Sequence, residues 1–153
     1  MGRYRILGII SLFNISCSLS FTGGNIKGSI DIFPVQNESD AYGIEGILGS
    51  EIYNSFKNDG RFKISENGDY TLKVVVKGFK KEPFFYEKTG EVKGYKFTLL
   101  SDISFIRKSD TLKLLERSLR EEIVSETNED IEGIKKLAVK LKDDIIKIIL
   151  ELW

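Results

Sequence analysis

Two stretches of alternating apolar and polar residues constrain the fold more than any other feature of this 153-residue chain. They span residues 70–77 and 91–107. A period of two places successive side chains on opposite faces of a strand. The apolar side comprises Tyr70, Leu72, Val74, Val76, Tyr95, Phe97, Leu99, Ile103 and Phe105, and the polar side includes Lys73, Lys77, Lys96, Thr98 and Asp102. Both stretches are predicted to be strands of a sheet with one apolar and one polar face.

Two amphipathic helices are predicted where apolar residues recur at steps of three and four. The first starts at Ala41 and is interrupted by Gly43, Gly46 and Gly49. Each glycine costs a helix about 1 kcal/mol relative to alanine, so we expect this helix to depend on packing or to lie close against a neighbour. The second follows the acidic capping sequence 127–130 and continues to the end of the chain.

Three further segments complete the predicted order of elements. Residues 28–34 alternate and form a first strand that Pro34 ends, and residues 61–65 form a short extended piece. Residues 111–126 fit a helix slightly better by periodicity, but the compact turn at residues 108–110 favours a hairpin, and we interpret them as a strand. The predicted fold is α+β, a mixed four-stranded sheet with two helices packed on one face, in the order β-α-β-β-β-α.

The N-terminus is built like an export signal that ends at a cysteine. Arg3 and Arg5 precede the short apolar run 6–13, and Ser16 stands directly before Cys17, the only cysteine. This layout predicts a lipoprotein signal peptide at residues 1–16 and a lipidated Cys17. Residues 17–28 then form a tether, and residues 29–153 form a single periplasmic domain. An ordinary signal peptide or a short N-terminal membrane segment is the alternative.

Composition argues against most enzyme classes. The chain has no histidine, which removes the usual general base and a common zinc ligand. The acidic pairs Glu121-Glu122 and Asp143-Asp144 consist of neighbours that point apart, so we interpret them as solvated surface. We therefore predict no catalytic residue, no metal and no cofactor. Acidic and basic residues number 23 each, without the basic bias of nucleic-acid-binding proteins.

The segment between the two alternating stretches is the best candidate for a binding surface. Its consecutive aromatic residues are surrounded by lysines, a combination that suits an anionic amphiphile because rings contact acyl chains and ammonium groups contact phosphates. The alternative is a hairpin whose aromatic side chains only pack against the sheet edge. The candidate ligand-binding residues are Lys80, Lys81, Lys88, Lys93, Phe84 and Phe85.

Several segments in order resemble the LptE family of lipopolysaccharide-assembly lipoproteins, especially those of Bacteroidetes-like bacteria. The resemblance covers essentially the whole mature chain, and its weight comes from the order and spacing of short motifs. The family pattern also favours a strand at residues 111–126. The similar segments are Ser20-Phe21-Thr22-Gly23-Gly24, Ile30-Asp31-Ile32-Phe33, Leu48 to Phe56, Arg61-Phe62-Lys63-Ile64, Gly68-Asp69-Tyr70-Thr71-Leu72, Gly78-Phe79 with Pro83, Tyr95 to Phe105, and Leu152-Trp153.

The resemblance implies a specific, non-enzymatic role. LptE-type proteins are lipid-anchored at the periplasmic face of the outer membrane. They assemble with and plug the LptD-type β-barrel and take part in lipopolysaccharide export. The implied partners are that barrel, lipopolysaccharide, and outer-membrane lipid through acylated Cys17. Two other roles stay open, a periplasmic lipid carrier and an accessory lipoprotein or lipid-binding module of another cell-envelope assembly machine.

Overall fold

Three long strands and two helices dominate the part of the chain that the structure describes. The computed structural model describes residues 28–152, so the predicted signal peptide, Cys17 and nearly the whole tether lie outside the described residues. In chain order the elements are β1 (Ser29–Ile32), β2 (Gln36–Asn37), α1 (Ile44–Asp59), β3 (Lys63–Ile64), β4 (Tyr70–Tyr86), β5 (Val92–Arg107), β6 (Leu112–Ser125) and α2 (Asp130–Leu150).

All of these strands belong to one mixed sheet in the order β3-β1-β4-β5-β6, with β2 also paired to β4. The contacts of β4 with β1 and β2 are parallel, whereas β4, β5 and β6 form an antiparallel meander. The prediction of a mixed sheet is confirmed, but the predicted number of four strands is wrong. Strand β2 was missed, and β3, which lies within the predicted extended piece at residues 61–65, was not counted as a strand. Two residues are too few to show alternation, and only pairing with β4 and β1 defines these strands.

Strand β4 continues to Tyr86, well beyond the alternating stretch that predicted it. A bulge between Val76 and Gly78 inserts Lys77, so the side-chain phase changes. Val76 faces the core before the bulge, and Phe79, opposite Leu99, faces it afterwards. The change of phase hides the second half of β4 from a sequence pattern.

The ambiguous segment at residues 111–126 is strand β6, which confirms the predicted strand. It pairs with β5 along its length, after a turn in which Thr111 takes a left-handed φ of 55°. Leu115, Leu119 and Ile123 pack against the core at intervals of four residues. A step of four keeps side chains on one side of either a strand or a helix, which is why periodicity could not decide.

Both helices pack on the same face of the sheet, as predicted. Helix α1 buries Ile44, Leu48, Ile52 and Phe56. The glycines of α1 do not bring it close to a neighbour at Gly46, where a Cβ would meet nothing within 4 Å. The close approach is in α2, where a Cβ on Gly133 would lie 2.5 Å from the Phe97 ring. Neither helix in residues 28–152 is both long and apolar enough to cross a bilayer.

The opposite face of the sheet, here called the outer face, is polar as predicted. Lys77 pairs with Glu38, and Ser118 donates to Asp102 at 2.6 Å. Thr98 departs from the expected exposure, because it is 6% exposed between its cross-strand neighbours Lys80 and Glu122.

Candidate functional site

The hairpin of β4 and β5 projects beyond the rest of the molecule. Strand β6 ends at Ser125, opposite Tyr95, whereas β4 and β5 remain paired as far as Tyr86 and Val92. The 17 residues of β4 span about 55 Å, against about 32 Å for the 21 residues of α2. Residues 83–93, here called the distal tip, are all exposed, so the fold presents this segment to solvent or to a partner.

The aromatic side chains of the distal tip stack on one another but stay half in solvent. The rings of Phe84 and Phe85 meet edge to face, with centroids 4.8 Å apart. Phe85 lies over Gly94, where a Cβ would come within 3.1 Å of its ring. Phe84 is 47% exposed, Phe85 54% and Tyr86 62%. The cluster therefore packs against the strand, as the alternative interpretation required, and still exposes the apolar surface that a ligand would need.

Lys81 lies on the core face, away from the distal tip. Its ammonium group donates to the Asn128 carbonyl at 2.7 Å and to the Asp130 carboxylate at 2.8 Å. It also lies 5.1 Å from the centre of the Tyr95 ring. These contacts fasten the start of α2 to the sheet, so Lys81 is engaged within the fold.

Lys80 points to the outer face, where it belongs to a ladder of alternating charges. Lys80 lies 2.7 Å from Glu82, which in turn lies 3.9 Å from Lys96. The hydrogen bond from Lys80 lowers the pKa of the Glu82 carboxyl. Lys96 also sits 6.0 Å from the Phe84 ring, which links the ladder to the distal tip.

The distal tip itself carries balanced charge. Lys93 lies 3.9 Å from Glu87, and Glu91 stands two positions before Lys93. Within residues 28–152, Lys88 has no carboxylate within ion-pair distance. The structure thus brings Phe84, Phe85, Lys88 and Lys93 together at one end but separates Lys80 and Lys81 onto opposite faces. A role for these six residues in ligand binding stays a prediction.

A cleft of about 330 Å³ opens on the outer face near the distal tip. Its floor includes Gly78, Thr98 and the 41% exposed Leu100, and its rim includes Lys80 and Arg120. Glu82 also lines the cleft and pairs with Lys80, and Arg120 pairs with Glu122, so the cleft combines an exposed aliphatic side chain with balanced charge. Within residues 28–152, no group of three or more acidic or other metal-ligating side chains is clustered for a metal.

One buried acidic group was missed from the sequence. Glu121 is only 3% exposed, although the pair Glu121-Glu122 was interpreted as solvated surface. Burial, followed by its hydrogen bond with Asp144, raises the pKa of Glu121, and Lys140 at 3.2 Å opposes the shift. The signal was present, because Glu121 lies in phase with the core-facing Leu119 and Ile123. Neighbouring acids do point apart, but Glu121 on β6 still meets Asp144 on α2.

Comparison with solved structures shows a fold shared with distant bacterial proteins. Protein XCC0632 from Xanthomonas campestris, described with the family model DUF330, has a TM-score of 0.64 at 10% identity and covers 86% of this chain and 88% of its own. The hypothetical protein CT253 from Chlamydia trachomatis has a TM-score of 0.64 at 8% identity, over 81% and 96%. A putative lipoprotein from Caulobacter crescentus has a TM-score of 0.51 at 6% identity, over 77% and 88%.

No protein-family model matches the chain, and no curated protein matches its sequence. The likeness to the Caulobacter crescentus protein indicates that this fold occurs among bacterial lipoproteins.

Proposed function

We propose that this protein is a non-enzymatic, lipid-anchored subunit of the outer-membrane lipopolysaccharide translocon, seated in the lumen of its β-barrel. One observation carries the proposal, the charge-balanced outer face of a sheet whose other face is filled by two helices. The interior of an outer-membrane barrel is polar. An occupant therefore needs polar surfaces that can form hydrogen bonds and ion pairs with water and with the side chains of the barrel wall. The ladder of Lys80, Glu82 and Lys96 is such a surface.

The anchor in this proposal is the diacylglyceryl group on Cys17. The signal-like N-terminus and a fold known among bacterial lipoproteins both support it. Two or more acyl chains would hold the domain stably, since a single chain gives only marginal membrane binding. Metabolic labelling with a fatty-acid analogue tests this point, because the variant Cys17→Ala should lose the label.

The ligand in this proposal is lipopolysaccharide, bound at the distal tip. The rings of Phe84 and Phe85 would contact acyl chains, and Lys88 and Lys93 would contact phosphates. The carrier alternative is less well supported, because a carrier needs an enclosed apolar cavity. The space between sheet and helices is instead occupied by large, fully buried side chains such as Phe56, Phe97 and Phe105.

Purification of the protein with its partner tests the role directly. A C-terminally tagged protein, extracted from outer membranes in mild detergent, should bring down a large β-barrel in stoichiometric amounts. Recovery of the tagged protein without any barrel would contradict the proposal. The Cys17→Ala variant is the control for lipidation, because it removes the thiol that would carry the diacylglyceryl group and leaves the sequence of residues 28–152 unchanged.

A second candidate is an accessory lipoprotein of another cell-envelope machine. The fold supports this candidate, because proteins with only 6–10% sequence identity to this chain share the same fold. Such a fold is not tied to one machine. The identity of the co-purified partner separates the two candidates, since only the first requires the lipopolysaccharide barrel.

A further inference from the structure

Strand β6 forms a long open edge of the sheet. Within the described residues it pairs only with β5, and it lies last in the strand order. The other end of the sheet is the two-residue strand β3. An open edge exposes unpaired N–H and C=O groups that are a template for another strand. This edge goes beyond the proposed function, which uses the outer face and the distal tip.

The hydrogen bonds of the sheet determine which backbone groups of β6 point outward. The carbonyls of Leu72 and Val76 accept from residues on the β1 and β2 side, so the even-numbered residues in this part of β4 face that side. Successive residues of a strand direct their backbone N–H and C=O groups to opposite sides. Followed through the registers of β4 with β5 and of β5 with β6, this alternation directs the groups of Glu116, Ser118 and Arg120 away from β5. The Glu122 carbonyl, which accepts Lys140 at 3.2 Å, agrees with this assignment.

Two features limit the usable part of the edge. At one end, Leu114 is the extra residue of a bulge, because Phe105 pairs with Leu115 and Ile106 pairs with Lys113. At the other end, lysines from α2 cover the strand, with Lys140 on the Glu122 carbonyl and Lys136 on Ser125. Bulges and lysines are common protections of sheet edges. Between them, residues 115–121 remain open.

We propose that this window pairs with the same window of a second copy, antiparallel about Ser118. In that register Ser118 faces Ser118 of the other copy, and Glu116 faces Arg120 twice by symmetry. Opposite charges directly across a strand pair stabilise it. Centring the pair on Leu119 would instead place Glu116 opposite Glu122, and centring it on Arg120 would place two arginines together. Charge complementarity thus selects a second copy of the chain and a single register.

The residues that would pair are available. Glu116 contacts Lys113 and Arg120 contacts Glu122 within one chain, but these four side chains are 40–63% exposed. Exposed ion pairs contribute little to stability and exchange partners readily. The charged groups can therefore turn to the other copy without loss of the fold.

Charge reversal tests the register. We expect the wild-type chain, kept in mild detergent so that its acyl chains do not associate, to dimerise reversibly in sedimentation equilibrium between about 1 µM and about 1 mM. Glu116→Arg and Arg120→Glu, each alone, place like charges opposite and should weaken the dimer by about tenfold or more. The double variant restores opposite charges and should recover wild-type affinity. Lys73→Glu is the matched control, because Lys73 lies on the outer face of β4, away from the edge.

Disulfide trapping gives a second measurement. In a Cys17→Ala background, Ser118→Cys places two thiols across the symmetry axis, where Cα atoms about 5.5 Å apart suit a disulfide. Mild oxidation should yield a covalent dimer, whereas Ser104→Cys on the central strand β5 should not. A chain that stays monomeric to about 1 mM, or single and double charge variants that behave alike, would overturn the proposal.

Discussion

At the scale of single residues, one buried side-chain polar atom among residues 28–152 is not satisfied by the fold. Within residues 28–152, the Ser101 hydroxyl is buried and makes no hydrogen bond. It lies on the core face of β5, opposite Val76 and Leu119. A buried hydroxyl without a partner loses its interactions with water and gains nothing in return.

We expect Ser101→Ala to stabilise the protein by about 1 kcal/mol, because it removes the unsatisfied group. Urea unfolding followed by circular dichroism measures the change. Ser104→Ala is the matched control, since Ser104 lies on the outer face of the same strand and should leave the midpoint unchanged. A loss of stability in Ser101→Ala would show that the hydroxyl has a partner.

Glu121 supports a prediction about pH. Its folded-state pKa is raised above the ordinary value of 4.5, mainly by burial, so the folded state binds its proton more tightly than the unfolded state does. By linkage, this group stabilises the fold at low pH, and that contribution is lost as pH rises from about 4.5 through the raised value.

Glu121→Gln should therefore be more stable than the wild type at neutral pH, and the difference should shrink as pH falls toward 4.5. The amide keeps the shape and cannot ionise. Thermal unfolding of both proteins from acid to neutral pH measures the difference in stability between them. The effect of the other carboxylates cancels in this difference, because both proteins contain them. A difference that is constant with pH would contradict the assignment.

At the scale of elements, the contact between α2 and β5 depends on one missing side chain. Gly133 is buried in the first turns of α2, directly over the Phe97 ring. Glycine weakens a helix, but here it permits an approach that no other residue allows. The first helix uses glycine differently, since its N-cap Gly43 has a left-handed φ of 76° and a Cβ on Gly46 would meet nothing within 4 Å.

These two environments predict opposite results for the same substitution. Gly133→Ala should destabilise the protein by about 1–3 kcal/mol through overpacking against Phe97, more than its gain in helix propensity. Gly46→Ala should stabilise it by up to about 1 kcal/mol, because only propensity changes. Differential scanning calorimetry compares the two variants. Equal shifts in melting temperature would show that the Phe97 ring moves aside at little cost.

At the scale of the whole molecule, the candidate site is separated from the parts that maintain the fold. The distal tip extends past α2 and β6, whereas Lys81 lies where α2 begins. A substitution at Lys81 would confuse binding with stability. The informative lysines are those of the distal tip.

We expect Lys88→Glu combined with Lys93→Glu to weaken lipopolysaccharide binding by about tenfold, because both proposed phosphate contacts reverse in charge. The free energy of unfolding should change by less than about 0.5 kcal/mol, as for other exposed positions. Binding to immobilised lipopolysaccharide and urea unfolding measure the two effects. Lys63→Glu, on β3 at the far end of the sheet, is the control, and equal binding by both variants would remove the distal tip from the site.

The comparison of sequence with structure is clearest for the elements. Alternation at residues 70–77 and 91–107 and the apolar stripes of α1 and α2 were sufficient to predict the α+β class and two helices on one face of a mixed sheet. These features could be predicted because a side-chain period depends only on local backbone geometry. The exposed position of Phe84, Phe85, Lys88 and Lys93 at one end agrees with the sequence pattern, whereas their role in binding stays a prediction.

Features that depend on partners distant in sequence required the tertiary structure. Strands β2 and β3 exist only because β4 and β1 lie beside them, and the bulge at Lys77 reverses which residues of β4 face the core. Lys81 was a candidate for ligand binding and Glu121 was interpreted as solvated surface. The structure instead joins Lys81 to the start of α2 and buries Glu121 against the middle of that helix, beside Lys140 and Asp144. Local periodicity determined the elements of this protein, whereas pairing and burial between distant segments decided the sheet and the environment of each charged residue.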